Sequence, residues 1–178
     1  WYSESQKRFI VDVQFERNYK EARNKKIPLG TYIYSYATTV DEAKREAYGL
    51  INYLKSTNQT NYELPIFYDV EDKSQAKVDK KTMTQIIITF CEIVKNAGFQ
   101  PGVYANLDWY TNHMNLFELP EEYDLWIAHY KSQTDSSIPE DIYKYARTHD
   151  IWQYTSAGTV YGIEGKVDKN ICYKKYFE

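Results

Sequence analysis

Two carboxylates stand two residues apart at the end of an apolar run, in the segment Tyr68-Asp69-Val70-Glu71. Residues two apart in a strand point to the same side, so Asp69 and Glu71 are predicted to project together. Neighbouring carboxyl groups resist double ionisation, which raises the pKa of one of them and leaves a proton donor near neutral pH. Cleavage of a glycosidic bond uses such a pair: one acid protonates the leaving oxygen, and negative charge faces the oxocarbenium-like carbon.

The same Asp-x-Glu pattern also occurs in solvated loops that follow a strand and cap the next helix. Asp72 fits that capping role better than a role in a site. Other predicted strand ends favour a site for the pair itself, because they carry aromatic, amide or acidic side chains. These are Trp126, Tyr130, Gln153 and Asp168.

The composition is rich in aromatic residues, with 19 Tyr and 4 Trp among 178 residues. A tyrosine-rich core is one interpretation. The other is a surface that stacks on flat, amphipathic ligands such as sugars or bases, since an aromatic ring has an apolar face and a polar rim. The net charge of −3 and the lack of a basic stripe argue against nucleic acid as the partner.

Several other classes of protein find no support in the sequence. Two cysteines cannot build a disulfide framework, and His113, His129 and His149 are scattered, so no metal site is predicted. No segment approaches the roughly 18–20 apolar residues of a membrane helix, and the first residues lack the apolar region of a signal peptide. Glycine-rich nucleotide motifs are absent, and we predict no cofactor.

Strand and helix signals alternate along the chain, which predicts one α/β domain over residues 1–178. The predicted strands are 29–37, 64–70, 101–106, 123–130, 150–156 and roughly 163–171. The predicted helices are 14–26, one that starts at the Thr39–Glu42 capping box, one from Asp79 to Gly98, and a short one within 107–117. The alternation favours parallel β/α units, in a barrel or a doubly wound sheet, and the last strands are joined by loops.

Five stretches of the chain resemble glycoside hydrolase family 25, the Chalaropsis-type lysozymes of bacteria and their phages. They stand in family order and cover nearly the whole chain: GTYIYSYA at 30–37, LPIFYDVED at 64–72, AGFQPGVYAN at 97–106, WIAHY at 126–130, and WQYTSAGTVYGIEGKVDKN at 152–170.

The resemblance implies a flattened TIM-like β/α barrel whose last three strands lack regular helices. It implies hydrolysis of the β-1,4 bond between N-acetylmuramic acid and N-acetylglucosamine in peptidoglycan, outside the cell or in its wall, with no obligate protein partner. Carried over by motif, Glu71 is the general acid, Asp69 its carboxylate partner, and Asp168 a supporting acid of the cleft. The implied substrate-binding residues are Tyr34, Tyr36, Tyr104, Trp126, Tyr130 and Gln153.

One part of the family pattern has no match here. Family members begin with a strand that carries D-x-S-x-x-Q-G, whose Asp is a main active-site carboxylate. Asp12 lies in a segment that enters a helix and lacks the Ser and Gly. We therefore expect a strand–helix–strand unit of about 35–45 residues to be missing upstream, which would leave two open sheet edges.

Two alternatives remain beside the muramidase interpretation. Without the first strand, the chain could serve as a non-catalytic glycan-binding module that keeps its binding surfaces. A chitinase of family 18 also uses a strand-end D-x-E, but within a D-x-x-D-x-D-x-E run. Here Leu64, Ile66 and Phe67 precede Asp69, which argues against that family.

Overall fold

The computed structural model describes residues 1–130 and 149–177. The chain forms a small hairpin and a curled six-stranded sheet with helices on one face. The strands are β1 (Tyr2–Ser3), β2 (Arg8–Phe9), β3 (Thr31–Tyr34), β4 (Ile66–Asp69), β5 (Pro101–Asn106), β6 (Asp124–Ala128), β7 (Ile151–Gly158) and β8 (Val167–Cys172). The helices are α1 (Phe15–Asn24), α2 (Val40–Ser56), α3 (Lys80–Asn96) and α4 (Leu107–Asn112), with 3₁₀ turns at Lys73–Lys77 and Leu116–Glu118.

The strands of the main sheet lie side by side in chain order, from β3 to β8. Strands β3 to β7 are parallel, and β8 returns antiparallel to β7. The sheet is a half-barrel, and β3 and β8 are its edges within the described residues. The upstream strand–helix–strand unit stays a prediction. Because the parallel strands all end at the same rim, side chains at their carboxyl ends can meet there.

Helices α2 and α3 pack on the convex face of the sheet and build the core with it. Alternate strand residues point into this core and are almost completely buried: Ile33, Tyr68, Val103 and Leu125. The ring of Tyr68 stacks on that of Phe90 in α3, with 3.8 Å between ring centroids. The period of two then leaves the intervening strand residues to face the concave side.

Polar caps start the helices at the rim where the strands end. Thr39 and Glu42 form the predicted capping box of α2, and Asp79 accepts the N–H of Thr82 at the start of α3. Asp72 caps the 3₁₀ turn that follows β4, which confirms the capping role expected of it. Such caps satisfy backbone N–H groups that helix ends leave without partners.

The structure differs from the sequence prediction mainly at element ends. The β1–β2 hairpin was not predicted, because two-residue strands leave no period to detect. Strand β8 begins at Val167 and not near residue 163, since Gly162 and Gly165 adopt positive φ in the preceding turn. Strand β3 spans four residues where nine were predicted.

No helix in the described ranges is long and apolar enough to cross a membrane.

Replacement of Gly102 by Ala is expected to destabilise the sheet. A Cβ at this position in β5 would stand 2.5 Å from the ring of Phe67 and 3.1 Å from the carbonyl oxygen of Asp124. Phe67 cannot retreat freely, because its ring packs edge-on against Trp126 with 5.1 Å between centroids. We expect a loss of about 1–3 kcal/mol in the free energy of unfolding, measured by urea denaturation. An unchanged value would show that Phe67 moves aside at no cost.

Candidate active site

Four of the predicted site residues lie in one row across four neighbouring strands. Tyr34 of β3 is in register with Asp69 of β4, Asp69 with Tyr104 of β5, and Tyr104 with Trp126 of β6. All four stand at or near the carboxyl ends of their strands. The row places one carboxylate between aromatic side chains on both sides.

Asp69 is the buried member of the carboxylate pair. Its side chain is 6% exposed, and its Oδ1 has no hydrogen-bond partner among the described residues. Burial, with a smaller contribution from the nearby charge of Glu71, raises the pKa of Asp69 to about 8. The expected rise of one pKa therefore falls on Asp69, which holds a proton at neutral pH.

Glu71 is the member of the pair that reaches open space. It lines a cleft of about 610 Å³ together with Tyr104, Ala128 and Tyr130. Its Oε2 accepts two hydrogen bonds from Asn106, one from the backbone N–H and one from Nδ2, both at 3.0 Å. The carboxylate of Glu71 is thus held in a defined orientation at the edge of the cleft.

Asn106 is a site residue that sequence reasoning missed. It ends β5, and its Oδ1 accepts the N–H of Trp109, which caps α4. The side-chain amide is therefore bound at both ends, by α4 and by Glu71. A sequence signal could have indicated Asn106: it is a helix-cap residue at the end of the strand that follows the Asp-x-Glu strand.

The aromatic side chains of β5 and β6 contact each other and are held by hydrogen bonds to residues of β7 and β8. The rings of Tyr104 and Trp126 meet edge to face with 4.8 Å between centroids. Trp126 Nε1 donates to Asn170 Oδ1 at 2.8 Å, and the Tyr104 hydroxyl donates to Gln153 Oε1 at 2.6 Å. Residues of β7 and β8 thereby fix both rings, which favours a rigid stacking surface.

The tyrosines of β3 stand on the other side of Asp69. The Tyr34 hydroxyl donates to Asp72 Oδ2 at 3.1 Å, and its ring lies 5.1 Å from that of Tyr36. Tyr32 and Tyr36, two residues to either side of Tyr34, are both exposed. Neither Tyr34 nor Tyr36 lines the cleft that Glu71 lines.

Asp168 is exposed at the start of β8, which runs antiparallel to β7, and not near the end of that strand as predicted. Burial is the main cause that raises the pKa of the Tyr104 and Tyr130 hydroxyls, and the charge of Asp168 adds to it in both. Tyr130 hydrogen-bonds Tyr104 and Ser156. The structure thus brings a third carboxylate to the side of the site opposite β3.

The family profile described as "Glycosyl hydrolases family 25" matches residues 3–163. The chain belongs to glycosyl hydrolase family 25. It is similar to the uncharacterised protein YegX of Escherichia coli K12, with 27% identity over 163 residues, which are 91% of this chain and 54% of YegX.

Two further relatives of this family 25 chain come from streptococci and their phages. The modular autolysin LytC of Streptococcus pneumoniae, solved in complex with a synthetic peptidoglycan ligand, is 28% identical with a TM-score of 0.71, over 92% of this chain and 38% of LytC. The D-alanyl-L-alanine endopeptidase of Streptococcus phage B30 is 26% identical over 86% of this chain and 33% of that protein. The chain thus spans about half of YegX and a third or so of the other two.

The described part of the family 25 chain contains no group of three or more His, Cys, Asp or Glu side chains arranged to hold a metal ion.

Replacement of Asp69 by Asn is expected to change how stability depends on pH. Between the ordinary pKa of 3.8 and the folded value of about 8, the folded protein binds more protons at Asp69 than the unfolded chain does. Stability therefore falls as pH rises through this window, by at most about 1.4 kcal/mol for each pH unit. Asn cannot ionise, so Asp69→Asn removes this slope.

The measurement is urea denaturation of the wild type and Asp69→Asn at a series of pH values. We expect the free energy of unfolding of Asp69→Asn to increase relative to that of the wild type as pH rises between the two pKa values. Parallel curves would mean that Asp69 titrates near its ordinary value.

Proposed function

We propose that this chain hydrolyses the β-1,4 bond between N-acetylmuramic acid and N-acetylglucosamine in cell-wall peptidoglycan. The proposal rests on the different surroundings of the two carboxyl groups of the pair. Asp69 is buried and holds a proton, whereas Glu71 lines the cleft and is oriented by Asn106. Membership of family 25 supports glycoside hydrolysis as the reaction class.

In this proposal Glu71 donates the proton, and the burial of Asp69 limits the pair to one negative charge before cleavage. The proposed reactive form of the pair has its one proton on Glu71, because the burial of Asp69 and its repulsion with Glu71 oppose a second negative charge. As the C1–O bond breaks, Glu71 gives that proton to the leaving glycosidic oxygen. The pair then carries a second negative charge, which faces and stabilises the oxocarbenium-like sugar, and Asp168 adds to that field. Water bonds to C1 and gives one of its protons to the pair, which completes the hydrolysis and restores the acid.

The aromatic residues supply the binding surface for the glycan. Sugar rings present apolar C–H faces that stack on aromatic rings, and polar rims that hydrogen-bond to hydroxyl and amide groups. Trp126 and Tyr104 offer a braced face beside Glu71, and Tyr130 and Gln153 offer polar groups there. Tyr34 and Tyr36 extend the surface across the row toward β3.

The proposed partner is the glycan strand of peptidoglycan, and the proposed place of action is the cell wall. The peptidoglycan ligand bound to LytC supports this assignment, since LytC is similar over 92% of this chain. No step of the proposed reaction requires a cofactor.

Digestion of purified bacterial walls tests the proposal. The expected products are fragments with N-acetylmuramic acid at a new reducing end, detected by reduction with borohydride and mass spectrometry. New free amines without reducing ends would instead indicate peptide cleavage, the chemistry for which the phage B30 relative is named. Wall binding with neither product would favour the glycan-binding module.

A further inference from the structure

A buried carboxylate on α2 takes no part in the proposed reaction. Glu46 is 2% exposed, and burial raises its pKa. Its Oε2 accepts the hydroxyls of Ser35 at 2.8 Å and Tyr68 at 2.5 Å, and its Oε1 accepts the backbone N–H of Tyr36 at 2.9 Å. A buried carboxyl group is costly without such partners, and all three lie at the carboxyl ends of β3 and β4.

Gln75 extends these contacts to the segment that follows β4. Its side chain is completely buried, and its Nε2 donates to Ser35 Oγ at 3.0 Å and to the carbonyl oxygen of Ala37 at 2.9 Å. Its Oε1 accepts the backbone N–H of Asp72 at 3.2 Å. We call Glu46, Ser35, Tyr68 and Gln75 the Glu46 network.

The Glu46 network holds the backbone on both sides of Glu71. Ser35 N–H donates to the carbonyl oxygen of Asp69 at 2.9 Å, two residues before Glu71. Gln75 binds the N–H of Asp72, directly after Glu71. The short segment that carries the proposed acid is therefore anchored at each end to Ser35 or Gln75, and Ser35 is itself bound by Glu46.

We propose that Glu46 is a positioning residue for Glu71, acting through Ser35 and Gln75. The inference rests on the proposed function, because it concerns the placement of the proposed general acid. Glu42, one turn earlier on α2, serves as an internal contrast: it accepts bonds from Thr38 and Thr39 and closes only the helix cap. The catalytic cost of a misplaced group is steep, since a shift of about 1 Å can lower a rate about 100-fold.

The test compares Glu46→Leu, Glu46→Gln and Val94→Ala for cleavage of a soluble muramyl glycan. Val94 is fully buried near the far end of α3, so its truncation lowers stability without touching the network. We expect Glu46→Leu to lower kcat by about tenfold or more and to change KM less, because Tyr104 and Trp126 lie on other strands and Glu46 contacts only Tyr36 among the proposed binding residues. Glu46→Gln should recover most of the loss: its amide oxygen still accepts the Tyr36 N–H, and its amide nitrogen can donate to the Tyr68 hydroxyl, which also contacts Ser35. Val94→Ala should keep the wild-type kcat.

Gln75→Met covers the case in which Glu46→Leu fails to fold. It leaves Glu46 and its three donors in place and removes the bonds of Gln75 to Ser35, Ala37 and the Asp72 N–H, so a lowered kcat is again expected. Equal kcat values for the folded network variants and Val94→Ala would overturn the proposal, and so would a Glu46→Gln variant no better than Glu46→Leu.

A readout independent of activity separates this proposal from the proposed function. The carboxyl ¹³C signal of Asp69 reports the surroundings of the pair, and its titration midpoint should shift in Glu46→Leu or Gln75→Met but not in Val94→Ala. If the wild type releases no reducing ends, the proposed function fails while this titration still decides the role of Glu46. An Asp69 midpoint unmoved in the network variants would count against it.

Discussion

Glu71→Gln is expected to abolish wall lysis while leaving the fold intact. Loss of a general acid lowers a rate by about 10²–10⁴-fold. The substitution is nearly isosteric, and the amide oxygen of Gln can still accept both hydrogen bonds that Asn106 now donates to Oε2. The expected loss therefore reflects the missing proton and not a displaced side chain. The measurement is the initial rate of turbidity loss of a wall suspension.

Asp108→Asn is the matched control for this experiment. Asp108 lines the same cleft as Glu71 and is also a carboxylic acid, but it is largely exposed, and its partners among the described residues are Asn112 and His113 of its own helix region. Its replacement removes one negative charge from the cleft without touching the pair. We expect it to keep most of the wild-type rate. A Glu71→Gln variant that retained more than half of the activity would remove Glu71 from the mechanism.

The sequence carried enough information to assemble the row of site residues. Alternation predicted the side of Asp69, the family resemblance added Tyr34, Tyr104 and Trp126, and the common direction of parallel strands brings their ends to one rim. The capping role of Asp72 also followed from its place after a strand. These are local rules, and each was readable without knowledge of the tertiary structure.

The spacing could not show which carboxyl group of the pair is buried. Asp69 and Glu71 carry the same functional group, but Asp69 is the last residue of β4 and lies between Tyr34 and Tyr104 of the neighbouring strands, whereas Glu71 lies beyond the strand end. Desolvation depends on that packing, so the raised pKa of Asp69 required coordinates. The Glu46 network was hidden for the same reason, because its members are up to 40 residues apart in the chain.

Asn106→Ser is expected to lower the rate of wall lysis by about 10–100-fold, the cost of a mobile catalytic group. Asn106 has two roles: its Oδ1 caps α4, and its Nδ2 orients Glu71. Serine is as good a cap as asparagine, but its short hydroxyl lacks the amide that reaches Glu71. The backbone N–H of residue 106 still donates to Glu71, so the carboxylate keeps one of its two bonds.

Asn106→Ala completes the design, because it removes the cap as well as the donor to Glu71. We expect Asn106→Ala to lose about 1 kcal/mol of stability relative to Asn106→Ser, and the two variants to share the same reduced rate. Stability is measured by urea denaturation and rate by turbidity, each on both proteins. Equal rates with unequal stabilities would assign the catalytic loss to the Nδ2 bond. If Asn106→Ser lysed walls as fast as the wild type and only Asn106→Ala were slow, the residue would matter as a helix cap alone, and the orientation of Glu71 would have to rest on its backbone bond and on the anchored segment around it.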